Sequence, residues 1–150
     1  MKHCLTVGSK RKKDMKNFLY IVWSDKNKLG IPIIDEQHRG IISTINSLYY
    51  FIQAGQGHEI IKPTMIMLEQ YTDVHFKTEE ELLVKAGYPS FEEHLEFHHE
   101  LRKKTKALSM HADGDQDSDM VLKFLKEWWL GHINQEDRKY LPFVKQLMGP

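Results

Sequence analysis

The chain has 150 residues, and its 21 lysines and arginines balance 21 aspartates and glutamates, so the formal net charge is zero. That length suits one domain with a sizeable core, and the balanced charge gives no global field that would favour nucleic acid or a membrane surface. The single cysteine, Cys4, cannot form an internal disulfide and favours a reducing, cytoplasmic compartment.

The first 17 residues are polar and basic without apolar periodicity, which predicts a flexible N-terminal extension. The basic run 10–13 followed by the apolar run 18–23 resembles a signal peptide. The apolar run is too short, however, and no small-residue cleavage site follows it, so we reject that interpretation. Met15 is an alternative start of the protein. No apolar stretch approaches the length of a transmembrane helix, so we expect no membrane insertion.

Residues 18–150 are predicted to form one domain that begins with an irregular arm over 18–34. The arm carries several aromatic and branched apolar residues together with Gly30 and Pro32, so we expect its aromatic side chains to pack against the rest of the domain. A short strand is an alternative, although no other segment of the chain offers it an obvious partner.

Four amphipathic helices are predicted after the arm, because apolar residues recur at helical spacing in four segments. The first spans about 35–54, with Asp35 as a plausible N-cap. The second spans about 61–85, with Pro63 in its first turn and Gly87 as its terminator.

The third helix is predicted over about 90–111, with Ser90 as its N-cap, and the fourth over about 118–141, where Pro142 ends it. The acidic stretch 113–119 is predicted to contain the loop between them. Four helices with short connections and one inward apolar stripe each predict an all-α fold, an antiparallel up-down four-helix bundle with an irregular N-terminal arm.

Histidines and carboxylates stand at metal-ligand spacing on the predicted helices. His75 and Glu79 are four residues apart on the second helix, and His94 and His98 are four apart on the third, so each pair shares one helix face. The first and fourth helices contribute three further candidates: His38, His132 and Asp137. Imidazole suits iron, zinc, copper and nickel, and carboxylates can bridge two ions. Seven ligands are too many for one ion and enough for two.

Each of these histidines also has a simpler interpretation as a hydrogen-bonded core residue, the commoner role of a single inward histidine. Five histidines on four converging helices favour a two-metal site instead, because burying them with two carboxylates would otherwise be costly. Glu80 and Glu81 are predicted to lie on a solvated face. The remaining histidines are not needed for the site: His3, His58, His99 and His111.

At these positions the chain resembles the hemerythrin family of non-haem di-iron oxygen-binding proteins, in its bacterial branch. The matching pieces are Trp23, GIPIIDEQH at 30–38, HFKTEE at 75–80, YPSFEEH at 88–94 with His98, and Trp128 with HINQED at 132–137. All seven candidate ligands occur in the family's order and spacing, and the resemblance runs from about Trp23 to the end of the chain.

The resemblance implies a cofactor of two iron ions joined by an oxo or hydroxo bridge. In the implied ligand set, one iron is held by His94, His98 and His132. The other iron is held by His38 and His75, and the carboxylates of Glu79 and Asp137 bridge the two. The second iron keeps one open position for O2. In an ordinary helix the i,i+5 spacing turns Asp137 away from His132, which suits a bridging group that reaches sideways.

The family's positions also imply an apolar pocket over the open iron, formed by Ile41, Phe76, Leu101, Trp128, Trp129 and Ile133. Two of these residues depart from the family's pattern, because Trp129 stands where leucine is usual and Leu101 where phenylalanine is common. Ordinary core packing is a compatible interpretation of all six. The sequence does not show which groups bond to the second nitrogen of each ligand imidazole.

The resemblance implies reversible O2 binding by an oxygen carrier, store or delivery protein, and not an enzyme. The predicted pocket contains no spare acid or nucleophile, which favours binding over turnover. Two alternatives stay open: a di-iron oxidase, peroxidase or nitric-oxide-reducing enzyme on the same scaffold, and an oxygen- or iron-sensing module. O2 is the expected ligand, nucleic acid is not expected, and the sequence names no recipient protein.

Overall fold

A computed structural model describes residues 19–111 and 118–150, without the side chain of His111. The predicted flexible extension 1–17 and most of the predicted loop 113–119 lie outside the described residues. Within those two ranges all regular secondary structure is helical, which confirms the all-α prediction. No helix in this part of the chain is both long and apolar enough to cross a membrane.

The first three helices are α1, Pro32–Gln53; α2, Gly57–Ala86; and α3, Phe91–His111. The fourth helix, α4, covers residues 118–139 in consecutive segments: Ser118–Phe124, the π-helical Leu125–Leu130 and His132–Glu136, and Asp137–Lys139. A short α5 spans Leu141–Leu147, and the arm contains one 3-10 turn, Asp25–Asn27. α1 packs on α2, α2 packs on α3, and α4 contacts both α1 and α2, as expected of a four-helix bundle.

α1 begins at Pro32 and not at Asp35. Proline suits the first turn of a helix, because the N–H that it lacks would have no hydrogen-bond partner within the helix there. Asp35 is therefore not the N-cap. Its buried carboxylate instead accepts hydrogen bonds from the backbone N–H groups of Leu29 at 2.8 Å and Gly30 at 3.0 Å. The residue predicted to start the helix thus ties the arm to it.

α2 begins at Gly57, before the predicted start at about residue 61, so Pro63 lies inside the helix and not in its first turn. The end of α2 agrees with the prediction. Gly87 takes up the left-handed conformation with φ 63°, which a residue without Cβ adopts at little cost, and its N–H bonds back to the last turn.

The irregular arm packs against the bundle as predicted, with Ile21 and Ile31 buried. A side chain of α1 holds it in place. Asn46 Oδ1 accepts hydrogen bonds from the N–H groups of Tyr20 at 2.9 Å and Ile21 at 2.8 Å, and Asn46 Nδ2 donates to the Ile21 carbonyl at 2.8 Å. One amide therefore satisfies backbone groups that a partner strand would otherwise serve.

The close approach of α1 and α2 depends on Gly40. A methyl group added there would lie 2.6 Å from the hydroxyl oxygen of Tyr71 and 2.8 Å from its Cζ. Both distances are shorter than real carbon contacts, so only glycine leaves room for the Tyr71 ring against the α1 backbone.

We expect Gly40→Ala to destabilise the fold by about 1–3 kcal/mol, because the added methyl overpacks the contact with Tyr71. In a Tyr71→Leu background the same change should stabilise by up to about 1 kcal/mol, since alanine favours helix over glycine. Urea unfolding of the four proteins measures both effects.

Gly131→Ala is the matched control for this helix position. A methyl group there meets nothing within 4 Å, so it should not destabilise in either background. Equal effects of Gly40→Ala with and without the Tyr71 ring would show that the contact does not determine the choice of glycine.

Candidate metal centre

The four helices bring all seven predicted ligands together in the interior of the bundle, where every one is buried. They form two groups that share both carboxylates: His94, His98 and His132 with Glu79 and Asp137, and His38 and His75 with the same two. Within each group, one ligand atom per residue lies within 4.8 Å of all the others. Each group could therefore hold one metal ion.

Glu79 turns one oxygen towards each group of histidines. Its Oε2 lies 3.0 Å from His98 Nε2, 3.5 Å from His94 Nε2 and 3.6 Å from His132 Nε2. Its Oε1 lies 3.6 Å from His75 Nε2 and 3.9 Å from His38 Nε2. The carboxylate thus spans the two groups, as a bridging ligand would.

Asp137 divides its oxygens in the same way. Oδ1 lies 3.1 Å from His132 Nε2 and 3.6 Å from His94 Nε2. Oδ2 lies 2.8 Å from His38 Nε2 and 3.9 Å from His75 Nε2. Asp137 Oδ1 therefore faces two of the three histidines near Glu79 Oε2, and Asp137 Oδ2 faces the same two histidines as Glu79 Oε1.

A π-helical turn places Asp137 beside His132. The Asp137 N–H bonds to the His132 carbonyl five residues earlier, the bond that defines a π-helix. With α-helical geometry the i,i+5 spacing would turn Asp137 away, as predicted from the sequence. The π-helical segment His132–Glu136 instead brings both side chains into the cluster, and such segments occur frequently at functional sites.

Eight buried side-chain atoms of the cluster have no hydrogen-bond partner among the described residues. Two are the outer ring nitrogens His38 Nδ1 and His132 Nδ1, and six face the other candidate ligands: His75 Nε2, His94 Nε2, His98 Nε2, His132 Nε2, Glu79 Oε2 and Asp137 Oδ1. Each buried polar atom left unsatisfied costs about 1–3 kcal/mol. Those six belong to the two groups described above, so bound metal would satisfy them together. The donor set therefore fits two metal ions with shared carboxylates.

Burial favours the neutral, metal-binding form of three of the five histidines. It lowers the pKa of His38 to about 4 and the pKa of His75 to about 3, although the charge of Glu79 acts in the opposite direction. Burial likewise lowers the pKa of His132. Burial and then the charge of Glu79 raise the pKa of Asp137 well above its usual value. In the metal-free protein the protonated form of that carboxyl group is thus favoured.

We expect the metal-free protein to lose stability as the pH falls from about 6.5 towards 4. The pKa values of His38 and His75 are lower in the folded state than in the unfolded state, so the unfolded chain binds more protons in this window. Stability is thus present above the unfolded pKa and is lost as the pH falls towards the folded pKa. The loss is on the order of 2–3 kcal/mol per histidine. Proton uptake by Asp137, whose pKa is raised in the folded state, offsets part of it.

Urea unfolding of the metal-free protein at several pH values between 7.5 and about 4.5 checks this dependence. His99→Gln is the control, because it removes a histidine whose side chain is exposed, and it should leave the slope against pH unchanged. A stability that stays flat between pH 7 and 5 would contradict the prediction.

Tyr140 supports the cluster, a role that the sequence analysis did not assign to it. The residue is buried, and its hydroxyl donates a 2.6 Å hydrogen bond to Glu79 Oε1. Burial, followed by the charges of Asp137 and Glu79, raises the pKa of the Tyr140 hydroxyl, which therefore stays a donor. Its place three residues after Asp137, on the same helix face, was the available signal.

Two ligand histidines have a side-chain partner at their second nitrogen. His75 Nδ1 lies 2.9 Å from Gln37 Oε1, and His98 Nδ1 lies 3.0 Å from Glu80 Oε1. The prediction that Glu80 lies on a solvated face is wrong, because its position on α2 turns it towards α3 and His98. Glu81, the next residue, is exposed as predicted.

Five of the six predicted pocket residues are fully buried in one apolar core: Ile41, Phe76, Leu101, Trp129 and Ile133. Phe76 connects this core to the ligands, because its ring stacks on His98 with centroids 3.7 Å apart and lies 5.8 Å from the Trp129 ring. Trp128 packs against the edge of this core. It is only half-buried and stacks on Phe97, with Lys104 Nζ 3.5 Å from its ring centroid.

The histidines predicted to lie outside the site are exposed where the structure describes them, at His58 and His99. His3 and the side chain of His111 lie outside the described part of the chain. The cluster therefore uses all five histidines that the spacing singled out, and His99, although adjacent to a candidate ligand, points to solvent.

Comparison with known proteins agrees with this geometry. A family model described as Hemerythrin HHE cation binding domain matches residues 29–144. The bacteriohemerythrin of Stenotrophomonas maltophilia (strain R551-3) is 32% identical over 126 residues, 83% of this chain and 82% of that protein. The bacteriohemerythrin of Pseudomonas paraeruginosa (strain DSM 24068 / PA7) is 32% identical over 131 residues, 87% and 85% of the two chains.

A third relative, the bacteriohemerythrin of Clostridium acetobutylicum, is 30% identical over 126 residues, 80% of this chain and 98% of that protein. The family model covers the described ligand cluster from His38 to Asp137. The helical bundle, its paired metal-binding groups and these matches together show that the chain belongs to the hemerythrin family, whose members bind a non-haem di-iron centre.

Proposed function

We propose that this protein binds O2 reversibly at its di-iron centre, as an oxygen carrier, store or delivery protein. Family membership makes the chain a di-iron O2-binding or sensing domain. The observation that supports reversible binding is the apolar core against the ligands, where Phe76 stacks directly on His98 and Trp129 is fully buried. A cytoplasmic location is part of the proposal, supported by the single cysteine.

We infer that the seven clustered residues are the iron ligands. One ion is held by His94, His98 and His132. The other is held by His38 and His75, and the carboxylates of Glu79 and Asp137 bridge the two ions. The division of the carboxylate oxygens between the same two groups of histidines supports this assignment. When bound, the two ions would lend O2 one electron each and recover both on its release.

The protein's own residues favour release of intact O2 by keeping water and protons away. Phe76 and Trp129, with rings 5.8 Å apart at an interplanar angle of 9°, form an apolar wall beside the ligands. Tyr140 directs its proton into a hydrogen bond with Glu79 Oε1. Because burial raises its pKa, that proton is held tightly. The arrangement binds and shields, and it favours reversible binding over turnover.

Anaerobic reduction followed by repeated exposure to O2 and removal of O2 tests the proposal. We expect protein with two irons per chain to gain a visible absorption in O2 and to lose it under vacuum over several cycles. Conversion to an oxidised protein in one exposure, with stoichiometric release of hydrogen peroxide, would reject reversible binding. Sustained turnover with a reductant would identify the enzyme alternative instead.

A further inference from the structure

One histidine of each group has a side-chain partner at its outer nitrogen, and the two partners differ in charge. His75 of the two-histidine group bonds to the neutral amide of Gln37, whereas His98 of the three-histidine group bonds to the carboxylate of Glu80. Both contacts are close to 3 Å, at 2.9 and 3.0 Å. The difference therefore lies in the chemistry of the partner and not in the quality of the hydrogen bond.

The orientation of Gln37 follows from its neighbours. Thr78 Oγ1 donates its hydrogen to the Val74 carbonyl at 2.9 Å, so towards Gln37 it can only accept, and it does so from Nε2 at 3.0 Å. Gln37 Oε1 must then face His75 Nδ1 as an acceptor. His75 therefore carries its hydrogen on Nδ1 and presents the lone pair of Nε2 to the cluster.

The carboxylate of Glu80 is an acceptor only, so His98 also carries its hydrogen on Nδ1 and presents Nε2 to the cluster. A second charge lies on the outer side of this contact. Arg102 Nη1 is 3.6 Å from Glu80 Oε1, and Arg102 Nε donates to Asp73 Oδ1 at 3.1 Å. The guanidinium also lies 4.7 Å from the centroid of the Phe76 ring, which stacks on His98.

A carboxylate that accepts the N–H of a metal-bound imidazole makes that imidazole a stronger electron donor than a neutral amide does. A stronger donor stabilises ferric iron relative to ferrous iron. A guanidinium beside the carboxylate withdraws part of that effect, because it competes for the same negative charge. Glu80 and Arg102 should therefore act on the iron in opposite directions.

We propose that Glu80 is a positioning residue that strengthens His98 as a ligand, and that Arg102 limits this effect, so the pair sets the reduction potential of the di-iron centre. The inference rests on the ligand assignment under the proposed function. It adds that the three-histidine side is biased towards the ferric state through Glu80, while Gln37 gives no such bias to the other side.

Two single variants test the opposed effects. Glu80→Gln keeps an acceptor for His98 and removes the charge, so the midpoint potential should shift to more positive values. Arg102→Gln leaves the charge of Glu80 uncompensated, so the potential should shift to more negative values. Anaerobic spectroelectrochemical titration of the iron-loaded proteins, with iron content measured on the same samples, gives both shifts.

The neighbouring exposed residues supply matched controls, since Glu81→Gln and Lys103→Gln make the same charge changes one position along each helix. Both controls should leave the potential at the parent's value. In the double variant Glu80→Gln/Arg102→Gln, the effect of losing Arg102 should largely disappear, because Arg102 acts through Glu80.

Shifts of the same sign in both single variants, or shifts no larger than those of the controls, would overturn the proposal. If Glu80→Gln does not retain iron, Arg102→Gln decides alone, and an unchanged or more positive potential rejects the mechanism. If the protein does not bind O2 reversibly, a separate measurement shows it, because the parent's absorption spectrum will not recover over repeated cycles of O2 exposure and removal. If the ligand assignment is wrong, the parent protein should contain far fewer than two irons per chain.

Discussion

Glu79→Ala is expected to remove most of the iron from the protein. One oxygen of Glu79 faces His75 and His38 and the other faces the three remaining histidines, so the change takes a ligand from both ions at once. Loss of a residue that only supports a ligand typically lowers metal affinity about 10–100-fold. Loss of a shared ligand should lower it further. Iron analysis and the visible spectrum of protein produced with ample iron measure the effect.

Glu81→Ala is the matched control, since the same substitution two positions along α2 removes an exposed carboxylate. The Glu81→Ala protein should keep close to two irons per chain. Circular dichroism should show that Glu79→Ala remains helical, because the apolar stripes that form the bundle are untouched. If Glu79→Ala keeps its full iron content and the parent's spectrum, the assignment of Glu79 as a bridge is wrong.

Trp129→Ala is expected to destabilise the protein by roughly 3–5 kcal/mol, because truncating a fully buried indole leaves a large cavity. Trp129 Nε1 has no hydrogen-bond partner among the described residues. Its removal therefore eliminates the free-energy cost of burying an unsatisfied N–H group. The cost should therefore lie towards the lower end of that range. Thermal or urea unfolding of the metal-free proteins measures it without interference from iron binding.

The same variant should lose its oxygenated spectrum faster than the parent. The Trp129 ring lies 5.8 Å from Phe76 and 6.2 Å from His132, so the cavity would open beside the ligands. A cavity next to polar groups can hold water, and water brings protons to the site. Trp129→Leu, which restores the residue usual in the family, should show a smaller effect because it fills more of the space than alanine.

Trp128→Ala is the internal control for this experiment. Its ring is only half-buried at the edge of the apolar core, where it stacks on Phe97, so its truncation should cost less stability and should change the decay less. If Trp129→Ala folds, holds its iron and decays no faster than the parent, then Trp129 serves packing alone.

The clustering of the seven candidate ligands was predictable from the sequence because it depends on local geometry. His75 and Glu79, and His94 and His98, are four residues apart, and 3.6 residues per turn place each pair on one face whatever surrounds the helix. The apolar stripes follow the same period, so the faces that carry the ligands are also the faces that become buried. Gly87 ends α2 for an equally local reason, its left-handed backbone conformation.

The helix starts were harder to predict because several residues could play the same local part. Asp35 has the chemistry of an N-cap, yet its carboxylate bonds to the backbone of Leu29 and Gly30 in the arm. That choice depends on how the arm folds back over α1, where Asn46 holds it through Tyr20 and Ile21. Local propensity does not contain this information.

The supporting residues were decided by tertiary structure, because their partners lie far along the chain. Tyr140 meets Glu79 across 61 positions, and Gln37 meets His75 across 38. Glu80 and Glu81 are chemically identical neighbours, and only the rotation of α2 relative to α3 turns Glu80 towards His98 and leaves Glu81 in solvent.

The fourth helix shows the limit of periodicity most clearly. Its π-helical turns change the angle between successive residues, so the spacing of His132 and Asp137 brings them together where an α-helix would separate them. Trp128 and Trp129 are likewise adjacent, and only Trp129 enters the apolar core. Sequence alone determined the candidate metal ligands, because ligand chemistry and helical period are local. Packing between helices decided which residues orient and shield them, because those contacts depend on helix rotation and long-range pairing.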